Sequence, residues 1–408
     1  MTEKVFTKPF TQQEPVPEAA IARAVEILRG GRRHRYNTLE GEVSEAAQLE
    51  VEFAAYMGVP YALACASGGY ALQVALRSAG VSPGDPVLTN AFTLSPVPGA
   101  VHNAGGRAIL VETGPDLTID VADLDRKAAA SGAKYLLLSH MRGHIADMEA
   151  VLAVCQDRGV SLIEDCAHTL GARWKGRLSG TFGKAACFSS QTYKHLNSGE
   201  GGFLTTEDPE LMARAVVHSG SYMLYGRHLA APDEEVFRKV RLETANMSGR
   251  MDNLRAAILR EQLRHLDDNC RRWNQLYGAL EAELRTVDGL HMPERPQHEH
   301  YVGSSLQFSL PGFGEDDIPA FIARCAERGV EVKWFGAAEP HGFTSRYDSW
   351  RFIADPAELP ATRKLHSTLY DLRIPLTFDE ADCRLIGEII ADCVAEGRPE
   401  LSSATASA

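Results

Sequence analysis

The sequence lacks several features, and each absence removes a class of protein. No run of roughly 18 apolar residues occurs anywhere in the 408 residues, which argues against a transmembrane helix. Residues 1–15 are polar and charged and carry no apolar signal core. The largest basic block is Arg32-Arg33-His34-Arg35, and the net charge is -12, so neither nucleic acid nor an anionic membrane is an expected partner. Eight cysteines (Cys65, Cys155, Cys166, Cys187, Cys270, Cys325, Cys383 and Cys393) are scattered without a C-x-x-C pair. That usage predicts reduced core thiols of a cytoplasmic protein, with neither disulfides nor a metal site. Internal repeats are also lacking.

What remains is a chain with 44% hydrophobic and 24% charged residues, long enough for two or three domains. From residue 60 to 205, short apolar runs alternate with helical patterns. Tyr61-Ala62-Leu63-Ala64-Cys65-Ala66, Asp85-Pro86-Val87-Leu88-Thr89, Arg107-Ala108-Ile109-Leu110-Val111, Lys134-Tyr135-Leu136-Leu137-Leu138-Ser139, Ser161-Leu162-Ile163-Glu164-Asp165, Ala185-Ala186-Cys187-Phe188-Ser189 and Gly201-Gly202-Phe203-Leu204-Thr205-Thr206 read as strands. Such strands, apolar along their length and separated by helices, predict an α/β fold with a mostly parallel seven-stranded sheet covered on both faces. A long helical pattern over residues 250–285 leads into a smaller α+β domain. That domain has strands at 304–310 and 330–334 and helices at 316–328 and 380–395. The expected organisation is an N-terminal arm (1–16), a large domain (17–260), a small domain (261–398) and a disordered tail (399–408).

Four segments sit at strand ends or in the loops that follow, where sheets of this kind bind ligands. Ser67-Gly68-Gly69 lies between a strand and a helix, where small residues and helix N–H groups can receive a phosphate. Asp165 ends a strand in Glu164-Asp165-Cys166-Ala167-His168. A carboxylate there needs a cationic partner, and a pyridinium N–H is one; a helix N-cap is the competing reading. His168 reads equally as a satisfied core histidine. Lys194 closes Phe188-Ser189-Ser190-Gln191-Thr192-Tyr193-Lys194 and is followed by Asn197-Ser198-Gly199-Glu200-Gly201-Gly202. A glycine-rich turn behind a lysine suggests a chain folded tightly around a site, and a partly desolvated amine attacks carbonyls more readily. Asn246-Met247-Ser248-Gly249-Arg250, before the long helix, reads as a capping region.

The order Ser-Gly-x-x-Ala-Leu, Glu-Asp-x-Ala-His, Phe-Ser-x-x-x-x-Lys, Gly-Glu-Gly-Gly resembles the DegT/DnrJ/EryC1/StrS aminotransferases, fold-type-I enzymes using pyridoxal 5'-phosphate (PLP). His140-Met141-Arg142-Gly143-His144-Ile145-Ala146-Asp147 fits the same pattern. The resemblance implies transfer of an amino group, from glutamate or glutamine, to a keto group of a sugar, cyclitol or related ring. It also implies a homodimer with sites at the subunit interface. By the same resemblance Lys194 forms the Schiff base and moves the proton, Asp165 pairs with the pyridine nitrogen and His168 packs on the ring. Ser67, Gly68, Gly69 and Ser189 cup the phosphate, and Asn246 reaches the partner subunit's phosphate. Three departures stand out: Gly69 in place of threonine, Leu94 in place of an aromatic residue, and a stretch before Arg250 two residues longer than usual, which sets Ser248 beside Asn246 as a candidate for the same role. A looser likeness to the aminohydroxybenzoate branch points to a cyclic keto acid, with a lyase or aromatising reaction as the alternative. A binding protein without turnover is a further alternative. Outside these motifs, 218–222 and 334–336 read as substrate-facing or plain surface loops, and Arg32, Arg33 and Arg35 as a solvated helix end or an anion contact.

Overall fold

Strands β1 (Tyr61–Cys65), β2 (Pro86–Asn90), β3 (Arg107–Val111), β4 (Tyr135–Ser139), β5 (Ser161–Asp165), β6 (Ala185–Ser189) and β7 (Gly202–Thr206) form one sheet in the order β1-β7-β6-β5-β4-β2-β3. These boundaries come from a computed structural model that describes residues 4–342, 344–354 and 357–397. The expected tail from residue 399 lies outside the described residues. Strand β7 runs antiparallel to both β1 and β6, and the remaining pairs are parallel. Period-two alternation supplies both faces of the sheet: Leu136, Leu138 and Leu162 enter one core, Leu137 and Ile163 the other. Both faces are therefore buried, which is why these strands read as unbroken apolar runs.

Capping residues set the helices on these faces. Ser67, Asp120, Asp147 and Asp208 each accept a hydrogen bond from a first-turn N–H. A helix at Asn253–Arg264, capped by Asp252, is followed after His265 by a second at Leu266–Leu284. The sequence pattern predicts one helix across this span; the chain breaks at His265, whose φ of -103° and ψ of 3° leave the helical region. Leu263 and Leu266 pack in the same core on either side of the break, so the apolar period runs through it. The second helix joins two cores, with Trp273 in the sheet core and Tyr277, Leu280 and Leu284 in the next.

That next core belongs to an antiparallel sheet of β8 (Ser305–Ser309), β9 (Lys333–Trp334) and β10 (Leu369–Arg373), ordered β8-β10-β9. Strand β9 is shorter than the expected 330–334, although Val330 and Val332 are buried. Phe6 and Phe10 fill the same core, packed edge-on against Phe378 and each other. All eight cysteines are free and buried. No helix among the described residues is long and apolar enough to cross a membrane.

The reading of Arg35 as a solvated or anion-contacting residue is corrected. Its side chain is fully buried, and it donates to both Glu50 carboxylate oxygens at 2.7 and 2.8 Å and lies 3.0 Å from His228 Nδ1. Burial alone would raise the Glu50 carboxyl, but Arg35 and His228 outweigh it and hold it at about 2. Truncating one member leaves the other charge stranded. Glu50→Ala is expected to remove about 3–5 kcal/mol of stability, read as a lowered urea midpoint at neutral pH.

Candidate active site

The carboxyl ends of β4, β5 and β6 converge with the turn after β1 on a cavity of about 810 Å³. Its lining includes Ser67, Gly68, Gly69, Ser139, Asp165, His168, Ser189 and Lys194. Residues predicted from distant motifs thus share one site; Asn246 does not join them.

Asp165 is buried at the end of β5, directly opposite Ser139 in the parallel register with β4. Ser139 Oγ donates to Asp165 Oδ2 at 2.7 Å, and Thr93 Oγ1 donates to Ser139 Oγ at 2.8 Å. Asn90 fixes the Ser139 backbone from both sides, accepting from its N–H at 2.9 Å and donating to its carbonyl at 3.0 Å. The Ala167 N–H reaches the other carboxylate oxygen at 3.1 Å, a local turn that explains the N-cap reading without exhausting the group. Burial raises the Asp165 carboxyl above its ordinary value, against the lowering pull of Ser139, Ala167 and Lys194. A buried acid so placed is matched by a cation delivered into the cavity. Glu164, the preceding residue, is a scaffold group: its carboxylate accepts from the Gly180, Phe182 and Gly183 N–H groups at 3.0, 2.8 and 2.8 Å.

Lys194 sits in a loop that folds back on itself. Ser190 N–H donates to the Gly201 carbonyl, Thr192 N–H to Gly199 and Lys194 N–H to Gln191. Gly201 adopts a φ of +153°, and a Cβ there would meet Ser190 Oγ at 2.3 Å, so the glycine-rich turn is sterically required. Lys194 is half-buried as a residue, and its Nζ lies 2.9 Å from His168 Nε2. Burial brings the lysine down from 10.5 to about 7; Arg142 and Arg373 add to the fall, and Asp165 and Asp371 oppose it. Burial pushes the His168 imidazole well below its usual value, with Lys194 adding to the effect, so the ring is neutral.

The turn after β1 is pressed onto β6 and β7. A Cβ at Gly68 would lie 2.8 Å from Ser189 Cβ, and one at Gly202 would lie 2.5 Å from the Gly68 nitrogen. Only glycine permits this approach, which sets the N-terminus of the helix Gly68–Ala79 beside Ser189. At Gly69 a Cβ would meet only Pro96 Cβ, at 3.8 Å, so packing does not exclude the threonine of the family pattern. Leu94 lines the cavity where that pattern has an aromatic ring.

Asn246 is exposed, and its Oδ1 accepts from Ser248 N and Oγ at 2.8 and 3.2 Å. It lies well before the helix it was expected to open, which starts at Asn253. Phe335 is buried against Phe92 and is not a surface-loop residue. Tyr222 is exposed, with the Arg250 guanidinium 4.9 Å from its ring centre. Motif reading missed Ser139, Thr93, Gln191 and Arg142. Ser139 had one available signal, its place at the end of the strand next to β5.

The donor set fits a pyridoxal-type ring. It offers an amine for the aldehyde, a buried acid for the ring nitrogen, and a helix N-terminus with two serines for the phosphate. The family model of the DegT/DnrJ/EryC1/StrS aminotransferases matches residues 20–390. Over 295 residues the chain is 30% identical to the 3-amino-5-hydroxybenzoate synthase of Amycolatopsis mediterranei (strain S699), covering 70% of this chain and 72% of that one. It is 36% identical over 284 residues to the dTDP-3-amino-3,4,6-trideoxy-alpha-D-glucose transaminase of Streptomyces venezuelae, covering 68% and 67%. The crystal structure of a 3-amino-5-hydroxybenzoic acid synthase superposes with a TM-score of 0.81 at 28% identity, covering 96% of this chain and all of that one. With a cavity lysine, a buried aspartate and similarity along nearly its whole length, the chain belongs to the DegT/DnrJ/EryC1/StrS aminotransferase family, with the fold-type-I architecture of PLP-dependent enzymes.

Proposed function

We propose that this aminotransferase binds PLP at Lys194 and transfers an amino group from glutamate or glutamine to a carbonyl of a sugar, cyclitol or related ring. The observation that carries this reading is the meeting of Lys194, His168 and Asp165 in one cavity, with the lysine amine near neutrality. The cofactor supplies an electron sink for the carbon that gives up or gains nitrogen. Asp165, held by Ser139 and the Ala167 N–H, is placed to keep a ring nitrogen protonated. Lys194 would hold the cofactor aldehyde through its amine and would be placed to supply the base beside the reacting carbon. Neutral His168 positions that amine. Ser67, Gly68, Gly69 and Ser189 hold the phosphate. The two relatives that make an aminated benzoate and an aminated sugar support a ring-shaped acceptor. The exposed loop bearing Asn246, near exposed Tyr222 and Met223, is suited to a second copy of the chain, across which Asn246 reaches the phosphate.

The test is a donor screen on the PLP-loaded protein, measuring pyridoxamine phosphate and keto acid, followed by keto sugars, inosose-type cyclitols and cyclic keto acids. Ring product without keto acid from any donor would sink the transfer reading. A separate result is expected for the protein without cofactor. Below about pH 7 Lys194 is mostly ammonium and unreactive; above it the free amine dominates. Competitive acetylation followed by peptide mass spectrometry should therefore give a Lys194 rate that is half-maximal near pH 7 and flat above it. A rate still climbing toward pH 10 would contradict the depressed value.

A further inference from the structure

The cavity carries one charge that the reading above leaves unused. Among the described residues its charged lining consists of Lys194, Asp165 and Glu200. The first has the cofactor aldehyde to meet and the second the ring nitrogen; Glu200 has neither role. Glu200 is exposed, and its backbone carbonyl accepts from Ser198 Oγ at 2.9 Å. Its carboxylate makes no hydrogen bond or ion pair among the described residues.

The loop between β6 and β7 brings Glu200 to Gln191. Ser190 N–H donates to the Gly201 carbonyl at 2.9 Å and Thr192 N–H to the Gly199 carbonyl at 3.1 Å. These two bonds clasp the arms of the loop and set Gln191 opposite Glu200 between them. Both residues line the cavity, and their clasping neighbours do not. Gln191 is fixed at three points. Its N–H donates to Ser189 Oγ at 3.3 Å, its carbonyl accepts from the Lys194 N–H at 2.9 Å, and its side-chain Oε1 accepts from the Tyr193 N–H at 3.1 Å. Only the oxygen of the amide can meet a backbone N–H, so the side chain is held in one orientation. Its Nε2 then keeps its N–H donors without a partner among the described residues. The loop thus holds a donor beside an acceptor, three residues from Lys194.

A ligand group that meets both must accept from an amide N–H and donate to a carboxylate. A hydroxyl does this with one oxygen, and a primary carboxamide with its oxygen and its nitrogen. A carboxylate has no proton to give Glu200, and two like charges at short range repel. A site that pairs such a group rejects the analogue lacking it, because its own polar groups are left unmet.

Resting on the transamination reading, we infer that Gln191 and Glu200 form a donor–acceptor pair that selects a neutral hydroxyl or carboxamide on one reactant and refuses a carboxylate at that point. The group has two sources: the side-chain carboxamide of an amino donor such as glutamine, or a hydroxyl of a ring acceptor.

The test is a calorimetric titration of the PLP-loaded enzyme with four compounds that carry neither a reactive amine nor a ketone: glutaramate and glutarate, scyllo-inositol and cyclohexanol. The wild type is expected to prefer glutaramate to glutarate, or scyllo-inositol to cyclohexanol, by about tenfold or more. The first preference assigns the pair to the amino donor, the second to the acceptor. In Gln191→Met and Glu200→Gln the preference is expected to shrink about tenfold while the enzyme stays loaded with PLP. Because Glu200 is exposed, Glu200→Gln keeps the test decisive should Gln191→Met fail to fold. A wild type without either preference, or a preference untouched by Glu200→Gln, would overturn the inference. None of these compounds turns over. Selective binding by an enzyme that aminates nothing would therefore refute the transfer reading and leave the pair in place; active transfer without selectivity would do the reverse.

Discussion

Lys194→Ala is expected to abolish amino transfer, with a rate loss on the order of 10³-fold or more, because one side chain supplies both the nucleophile and the base. Among the described residues, neither histidine beside it is a ready substitute. His168, the nearest titratable neighbour, is held neutral by burial. His195 is depressed to about 4, chiefly by burial, and is engaged by the Leu170 carbonyl and Ser304 Oγ. The wild-type protein loaded with PLP should show a visible absorption band, and borohydride should leave the label on the peptide containing Lys194. In Lys194→Ala that label should vanish. A variant that retained turnover, or a label on another lysine, would remove the basis for the assignment.

Asp165→Asn should come next in size. The substitution keeps the shape and a hydrogen-bonding oxygen but removes the charge that sustains a protonated ring nitrogen. The expected loss is on the order of 10²–10³-fold in kcat, in line with removal of a single preorganised electrostatic partner. Relief of a buried acid should leave stability unchanged or slightly improved, since burial raises this carboxyl. A kcat loss with an unchanged melting temperature would separate a chemical role from a structural one. An unchanged kcat would reduce Asp165 to the local-turn role that its contact with the Ala167 N–H already serves.

Residues that belong to ordered local patterns were readable from the chain alone. Lys194 is announced by the glycine turn behind it and Asp165 by its place at a strand end, whereas Ser189 came only through the family resemblance. Ser139 is different: its meaning comes from lying opposite Asp165 across two strands 26 residues apart, which no window around either residue contains. Arg142 is more distant still, paired with Asp371 on a sheet built from residues far along the chain. Arg35 was misread because a run of basic residues looks solvated until Glu50 and His228 are brought to it from elsewhere in the chain. The break at His265 was hidden for the opposite reason. Both helices turn the same apolar face inward, so the period runs on while the backbone does not.

The placement of Phe6 and Phe10 bears on how the molecule completes itself. Their partners are Phe378 and the β10 region, and the Phe6 N–H donates to the Arg328 carbonyl at 2.9 Å. Aromatic side chains made this early along the chain must wait for neighbours made much later. Until those neighbours emerge the two rings have no core to enter, so the three-stranded sheet and its helices cannot close around them early in synthesis.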